Sequence, residues 1–94
     1  MVEANRTIAQ IPTIRITTAA HCLAMIRSRN AVKDSLRAYG LKPTHYSARD
    51  ISSWAQVYLN DHPELIAEAR PEVEAWIAQG VFGKRAAKAF KEGY

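Results

Sequence analysis

The segment YSARDISSWAQVYLN, residues 46–60, carries the clearest local structural pattern in the chain. Ser47 is followed three residues later by Asp50, which is the spacing of a capping box at the start of a helix. In such a cap the serine hydroxyl accepts a hydrogen bond from a backbone N–H of the first turn. Tyr46 and Ile51 stand at the two positions of a hydrophobic staple. The pattern predicts that a helix begins at Ser47.

Apolar residues then recur along this segment at the spacing that places them on one face of a helix. This spacing predicts a helix over 47–60, with an apolar face of Ile51, Trp54, Ala55, Tyr58 and Leu59. The large aromatic residues Trp54, Tyr58 and Trp76 all lie on such apolar faces. We therefore expect them in the core, with an anchoring role at an interface as the alternative.

Upstream of this helix, residues 19–39 carry a second helical pattern with a clear end. Gly40 and Leu41 follow it in the arrangement of a Schellman cap, in which a glycine in the left-handed conformation ends the helix. Two arrangements fit the pattern: one long helix through residue 39, or two helices that meet near Asn30. We favour two helices, with Thr18 as the N-cap of the first.

Downstream, a third helical pattern covers residues 63–79. Pro71 in its middle predicts either one kinked helix or two abutting helices. Gly80 ends the pattern as a second Schellman-like cap. Gly83 then separates a basic segment, residues 84–92, that can form a terminal helix.

The N-terminal part of the chain has a different pattern. Residues 13–17 read Thr-Ile-Arg-Ile-Thr, with β-branched side chains and strict alternation of polarity. This predicts a short strand, which Pro12 limits to a sheet edge. One strand is not stable alone, so it pairs within the chain or with a second copy of the protein. A homodimer or another assembly is therefore our expectation.

These elements together predict a mainly α-helical fold, with four to five short helices and an N-terminal strand or extended arm. A chain of 94 residues corresponds to a single domain. Within it we expect an arm or strand over residues 1–18, a helical core over 19–80 and a basic tail over 81–94.

The composition argues against a membrane protein and against a secreted, disulfide-stabilised one. The sequence contains no apolar run near the ~20 residues of a membrane span. Residues 1–5 lack the basic region and apolar stretch of a secretory signal. A single cysteine, Cys22, fits a reducing compartment, and we expect a cytoplasmic protein.

The sequence shows no set of residues with the spacing of a catalytic or metal centre. The histidines, His21, His45 and His62, form no pair at metal-ligand spacing. Cys22 lies on an apolar face, where a free cysteine acts as a small hydrophobic side chain. Ser47 is engaged as a helix cap. We therefore expect no enzyme, no metal ion and no cofactor.

The net charge of +4 is divided unevenly along the chain. Residues 1–50 hold eight Lys and Arg against three acids, whereas residues 51–80 hold one Arg against five acids. Residues 81–94 hold four Lys and Arg against one acid. A chain with basic ends and an acidic centre is suited to binding a polyanion or to self-association.

Two ridges of like charge follow from i, i+4, i+8 spacing on helices. The basic ridge comprises Arg29, Lys33 and Arg37. The acidic ridge comprises Glu64, Glu68 and Glu72. Three arrangements are open: the ridges face each other, both are solvated, or the basic ridge meets phosphates while the acidic ridge faces another partner.

Two DNA-binding arrangements are compatible with this order of elements. In a helix-turn-helix, residues 31–39 precede a reading helix over 47–60, with a connection longer than usual. The first turns of that reading helix offer side chains able to contact bases: Arg49, Ser52, Ser53 and Gln56.

The second arrangement is a ribbon-helix-helix. Residues 13–17 look like its strand, with Thr13, Arg15 and Thr17 on the groove side, and residues 27–32 look like the start of its second helix. The resemblance implies a dimer whose paired strands enter the major groove. The segment between strand and second helix is several residues short of that pattern, so we do not assign the chain to the family.

The sequence therefore predicts a small non-enzymatic nucleic-acid-binding or regulatory protein, with DNA as the expected ligand. The contacts are assigned to eight basic side chains: Arg15, Arg29, Lys33, Arg37, Arg49, Lys84, Arg85 and Lys88. The alternative is a protein-interaction module, an adaptor, inhibitor or assembly subunit, that binds no nucleic acid. Such a module would use the N-terminal strand or the acidic ridge.

Overall fold

A computed structural model describes the backbone of residues 2–93 and the side chains of residues 16–92. This part of the chain contains four α-helices: α1 Val2–Ala38, α2 Ala48–Asp61, α3 Glu64–Ala78 and α4 Phe82–Gly93. A short 3-10 turn, Pro43–His45, lies between α1 and α2. The mainly α-helical fold is confirmed.

The long first helix, α1, is continuous. The favoured break near Asn30 and the N-cap at Thr18 are therefore wrong, and the single-helix alternative is right over residues 19–38. Asn30 and Thr18 are weak helix formers, but each lowers helix stability by only about 0.5 kcal/mol relative to alanine. Packing of the neighbouring turns against three other helices outweighs that cost.

The strand predicted over residues 13–17 is also wrong, since these residues lie inside α1. Ile16 packs against a core that includes Ala20, Leu23 and Ala24, which follow it at helical spacing. Five residues are too few to separate a period of two from a period of 3.6. The strand was the basis for expecting a strand-paired dimer, and that basis is lost.

Two helices end at glycines in the left-handed conformation, as predicted. At Gly40, φ is +77°, and the Leu41 N–H donates to the Leu36 carbonyl at 2.9 Å. The Gly40 N–H donates to the Arg37 carbonyl at 2.9 Å, which completes the Schellman pair. Gly80 ends α3 in the same way, with φ of +71°. Both ends are set by local sequence.

The predicted cap of α2 is also confirmed. The Ser47 hydroxyl accepts a hydrogen bond from the Asp50 N–H at 3.0 Å, and the helix begins at the next residue. The Tyr46 ring lies edge-on against Trp54, with ring centroids 5.3 Å apart. This contact fixes the direction in which the chain enters α2.

The last two helices resolve the remaining alternatives. Helix α3 runs through Pro71 as one element. Helix α4 begins at Phe82, so Gly83 lies inside the helix and does not separate it from the preceding turn. The basic tail predicted over residues 81–94 is thus a helix that packs against α1 and α3.

The core lies around α1, which packs against α2, α3 and α4. Small side chains allow the helix axes to approach closely, and three alanines are completely buried: Ala24, Ala55 and Ala69. Ser28 is buried with them and donates its hydroxyl hydrogen to the Ala55 carbonyl. This bond satisfies the hydroxyl, so its burial between α1 and α2 is tolerated.

Candidate functional site

The outer face of α4 concentrates positive charge on one helix. Its four cations, Lys84, Arg85, Lys88 and Lys91, are all exposed. They lie opposite the apolar residues Phe82, Ala86 and Ala89, which are partly buried against the body of the protein. The helix is therefore amphipathic, with its apolar face used for packing and its basic face directed to solvent.

Acidic side chains do not neutralise this basic face. Within the described residues, no carboxylate lies within ion-pair distance of Lys84, Arg85, Lys88 or Lys91. Glu92 is the one acid on α4. The face therefore keeps its positive charge in the folded protein, and that charge attracts anionic ligands.

Part of the basic face borders a cleft that also reaches α1. Arg85 and Lys88 line this cleft of about 270 Å³ together with Arg27, Asn30 and the acidic Glu92. Arg27 is paired with Glu72 of α3 at 2.5 Å. Asn30 is partly buried, and its side-chain amide carries both a donor and an acceptor. The α4 cations are thus placed beside the next turns of α1.

Those next turns carry the predicted basic ridge, whose three members have different surroundings. Arg29 is only 2 % exposed, and its Nη1 donates to the Ala48 carbonyl at 3.1 Å and to the Ser52 hydroxyl. Arg29 therefore holds α1 to α2 and is removed from the surface. Arg37 is exposed, and its Nη1 lies 2.9 Å from Asp34.

Lys33 lies between these two arginines and is partly buried. Burial, together with the positive charges of Arg29 and Arg37, lowers the pKa of Lys33 below its ordinary value of 10.5. All three side chains line one cleft of about 250 Å³ between α1, the 3-10 turn and the start of α2. The ridge thus borders a cleft, with Arg29 buried, Lys33 partly buried and Arg37 exposed.

The remaining predicted contacts are Arg49 and Arg15. Arg49 is exposed in the first turn of α2. Arg15 lies outside the residues whose side chains the structure describes. The structure therefore brings Arg85 and Lys88 together with Asn30, places Lys33 and Arg37 in a neighbouring cleft, and buries Arg29.

The acidic ridge does not face the basic ridge. Glu72 pairs with Arg27, which is outside the predicted set, and this contact joins α3 to α1. Glu64 and Glu68 are exposed. One of the arrangements left open by the sequence was that the acidic and basic ridges pair with each other. Glu72 does not take part in such pairing within the chain, because its partner is Arg27.

The structure contradicts one of the two DNA-binding arrangements considered from the sequence and limits the side chains available to the other. The ribbon-helix-helix resemblance is wrong, because the residues taken for its strand are helical. In the helix-turn-helix arrangement, Ser52 is held by Arg29, and Gln56 donates to Asn60 at 2.9 Å. Arg49 and Ser53 remain exposed on α2.

The structure also reveals an apolar groove that the sequence interpretation missed. It lies between α1 and α2, has a volume of about 380 Å³ and includes Val32, Leu36 and Tyr58. Tyr39 is 85 % exposed, Val57 60 % and Trp54 42 %. Trp54 is therefore not a core residue, whereas Tyr58 and Trp76 are partly buried. Val57 is an apolar residue outside the predicted apolar face of α2. Its position was the one feature of the sequence that could have indicated this groove.

The histidines and the cysteine show no arrangement suited to metal binding. No group of three or more potential ligands occurs among the described residues. The His62 ring stacks on Tyr58 with centroids 4.0 Å apart, and its Nδ1 lies 2.9 Å from the Tyr58 carbonyl. Cys22 is exposed beside an apolar pocket of about 220 Å³ between α1, α3 and α4.

No helix in the described part of the chain combines the length and apolar character needed to cross a bilayer. Comparison of the chain with models of protein families, with curated proteins and with solved structures finds no match. The functional assignment therefore rests on the surfaces described above.

Proposed function

We propose that this protein binds duplex nucleic acid without enzymatic activity, by placing the basic face of α4 against the phosphate backbone. The exposed, unneutralised cations Lys84, Arg85, Lys88 and Lys91 carry the proposal. Cations that contact phosphates release condensed counterions, which is the main source of sequence-independent affinity. DNA is the duplex on which we base the tests.

The position of α4 on the body supports this proposal. Arg85 and Lys88 share a cleft with Asn30 of α1. Lys33 follows Asn30 by about 4.5 Å along the helix axis and Arg37 by about 10.5 Å, at a rise of 1.5 Å per residue. The positive surface thus continues from α4 along α1. A surface of this length can span several phosphates, which are spaced 1.7 Å apart along duplex DNA when both strands are counted.

The docked geometry of α4 favours a polyanion over a lipid surface. A helix that lies in a membrane interface inserts its apolar face among the acyl chains. Here the apolar residues Phe82, Ala86 and Ala89 pack against α1 and α3. Apart from Phe90, which is 59 % exposed, the basic face is the part of α4 that remains for a ligand.

The direct test is fluorescence anisotropy of a labelled random DNA duplex titrated with the protein at about 50 and about 200 mM salt. We expect a dissociation constant near the micromolar range at the lower salt and a steep loss of affinity at the higher salt. Absence of binding by a folded sample at low salt would contradict the proposal.

A pair of charge-matched variants locates the contact. Lys84→Gln with Lys88→Gln removes two exposed cations from α4, and Lys42→Gln with Arg70→Gln removes two exposed cations elsewhere. The α4 variant should reduce the slope of log K against log salt by about 0.9 for each lost phosphate contact. The control should keep the slope of the original protein. Equal losses in both variants would show that only net charge matters.

A second candidate is a protein-interaction module, and the groove between α1 and α2 favours it. Tyr39, Val57 and Trp54 expose large apolar side chains beside this groove. Exposed apolar patches of this kind mark many protein interfaces. In a pull-down, a partner held there should be retained at high salt and lost on Tyr39→Ser with Val57→Ser. The same variant should keep the anisotropy response of the first candidate. The regulatory role and the oligomeric state stay predictions.

A further inference from the structure

The cleft between α1, the 3-10 turn and the start of α2 has a charge pattern unlike the rest of the surface. Arg29, Lys33 and Arg37 line it, and its lining includes no Asp or Glu. Its other polar side chains are those of Thr44 and Tyr46, which carry hydroxyl groups. Three cationic and two hydroxyl-bearing residues therefore line one space of about 250 Å³.

The cations in this cleft are held in place by the fold. The Arg29 guanidinium is fixed by the Ala48 carbonyl and the Ser52 hydroxyl of α2. Arg37 is oriented by Asp34, whose charge offsets part of that of Arg37. Lys33 is the middle member, and its ammonium group is disfavoured by burial and by its two cationic neighbours. The mutual repulsion of the three cations is reduced when an anion binds between them.

We propose that this cleft binds a phosphate group in its dianionic form, as a phosphate monoester or as free phosphate. A monoester carries a charge of about −1.5 to −2 at pH 7 and three strong acceptor oxygens. The convergent donors of Lys33 and Arg37, with the hydroxyls of Thr44 and Tyr46, match these acceptors in type. Arg29 contributes its positive charge from behind.

This inference goes beyond the proposed function in its ligand, a phosphate dianion, although Lys33 and Arg37 also extend the positive surface of α4. The cleft is lined by residues of α1, of α2 and of the segment between them, and by none of α4. Saturable phosphate binding by a protein that does not bind DNA would contradict the proposed function alone. DNA binding without phosphate binding would contradict this inference alone.

The test is a titration of the ¹⁵N-labelled protein with inorganic phosphate, followed by ¹H–¹⁵N NMR. Ionic strength is held constant with sodium chloride. The pH is kept at about 8, where the dianion predominates both for a monoester, whose second pKa is about 6, and for inorganic phosphate, whose second pKa is about one unit higher. We expect saturable shifts of the amides of residues 33–37 and 42–51. Shifts that grow linearly without saturation, or that are largest on α4, would overturn the proposal.

Two variants assign the binding to the cleft. Lys33→Gln should weaken phosphate binding by about tenfold, as expected for the loss of one charge-assisted hydrogen bond. Arg70→Gln removes one exposed cation from α3, outside both proposed sites, and should leave the phosphate affinity unchanged. An unchanged affinity in Lys33→Gln would contradict the assignment, and a melting curve establishes that this variant is folded.

The source of the phosphate is distinguished by three ligands. Inorganic phosphate, a nucleoside monophosphate and a DNA duplex with or without a 5′-terminal phosphate are titrated into the original protein and Lys33→Gln. If the 5′-phosphate raises the affinity for the duplex, if Lys33→Gln abolishes that increase, and if the two small ligands do not bind, the ligand is a nucleic-acid end. A Lys33-dependent response to the two small ligands, without a gain from the duplex end, would identify a free phosphate compound. Failure of all three would refute the site.

Discussion

At the scale of single residues, Arg29 shows how one side chain changes role between sequence and structure. It belongs to the basic ridge by spacing, yet it is buried and its guanidinium bonds to two groups of α2. A buried guanidinium requires such partners, because an unpaired charge in the interior is strongly unfavourable. Arg29 therefore serves the contact between α1 and α2.

We predict that Arg29→Met lowers the free energy of unfolding by about 1.5–3 kcal/mol, the range for hydrogen bonds to a charged group. Arg29→Lys should restore little of this loss, because an ammonium does not reproduce the planar geometry of a guanidinium. Urea unfolding measures both effects.

The matched control for this prediction is Arg37→Gln, on the same face of α1. Arg37 is exposed and paired with Asp34, so its removal should change stability by no more than about 1 kcal/mol. Equal losses at Arg29 and Arg37 would show that the buried hydrogen bonds do not contribute as the structure indicates.

Lys33 gives a prediction that depends on pH. Its pKa is lowered by burial and by Arg29 and Arg37, so the protonated form is disfavoured in the folded protein. Below that lowered pKa, Lys33 is charged in both the folded and the unfolded chain. The full free-energy penalty of holding this charge in the folded protein is then present. As the pH rises toward 10.5, the folded protein loses this proton before the unfolded chain does, and the penalty is relieved.

Lys33→Gln should therefore raise the melting temperature at pH 7, since each like-charge pair at this helical spacing costs about 0.2–0.5 kcal/mol. The difference in melting temperature between Lys33→Gln and the original protein should become smaller as the pH approaches 10.5. Melting curves of both proteins across this range give the difference. A difference that does not vary with pH would contradict the role assigned to the charge.

At the scale of elements, helix ends are determined locally. Ser47, Gly40 and Gly80 were all assigned correctly from short patterns, and the structure shows the expected hydrogen bonds at each. A cap involves only the residues within one turn, so its physics is contained in a few neighbouring positions. Gly83 was misassigned because a glycine ends a helix only where it adopts positive φ.

Two glycine substitutions should have opposite effects on stability. Gly40→Ala forces a side chain into the left-handed conformation and should cost about 1–2 kcal/mol. Gly83→Ala lies inside α4, where a Cβ meets no atom within 4 Å, and should stabilise by up to about 1 kcal/mol. Thermal unfolding should thus show a lower melting temperature for the first variant and a higher one for the second. Changes of the same sign would contradict the backbone assignments.

At the scale of the whole molecule, α1 organises the fold, and α4 is its least buried neighbour. Residues of α1, α2 and α3 are fully buried, whereas no described residue of α4 is. Phe90 of α4 is 59 % exposed. Since burial of apolar surface is the main stabilising contribution, α4 is attached less firmly than the other helices.

Hydrogen exchange should reflect this order. After correction for intrinsic rates, the α4 amides should exchange at least about tenfold faster than those of residues 20–29, a difference of about 1.4 kcal/mol in opening free energy. Saturating DNA should slow exchange in α4 more than in α3. Equal protection of the α4 and α1 amides in the free protein would contradict the order of stability inferred from burial.

Much of the fold was predictable because its helices carry periodic apolar residues and recognisable caps. The N-terminal strand and the break near Asn30 were wrong because weak local preferences were read without the packing that overrides them. Of the candidate site, the basic composition of residues 84–91 was evident, since four cations lie there with no acid among them. The apolar groove was not, because it forms between two helices.

Four properties follow from the order of amino acids: the helical class, the cap at Ser47, the glycine ends at residues 40 and 80, and the concentration of positive charge near the C-terminus. These properties depend on neighbouring residues or on composition alone. Packing of the helices sets three others: Arg29 is buried, Glu72 pairs with Arg27, and Lys33 and Arg37 share a cleft. Such relations depend on which helix faces pack together, and that choice is made by contacts between residues far apart in the chain.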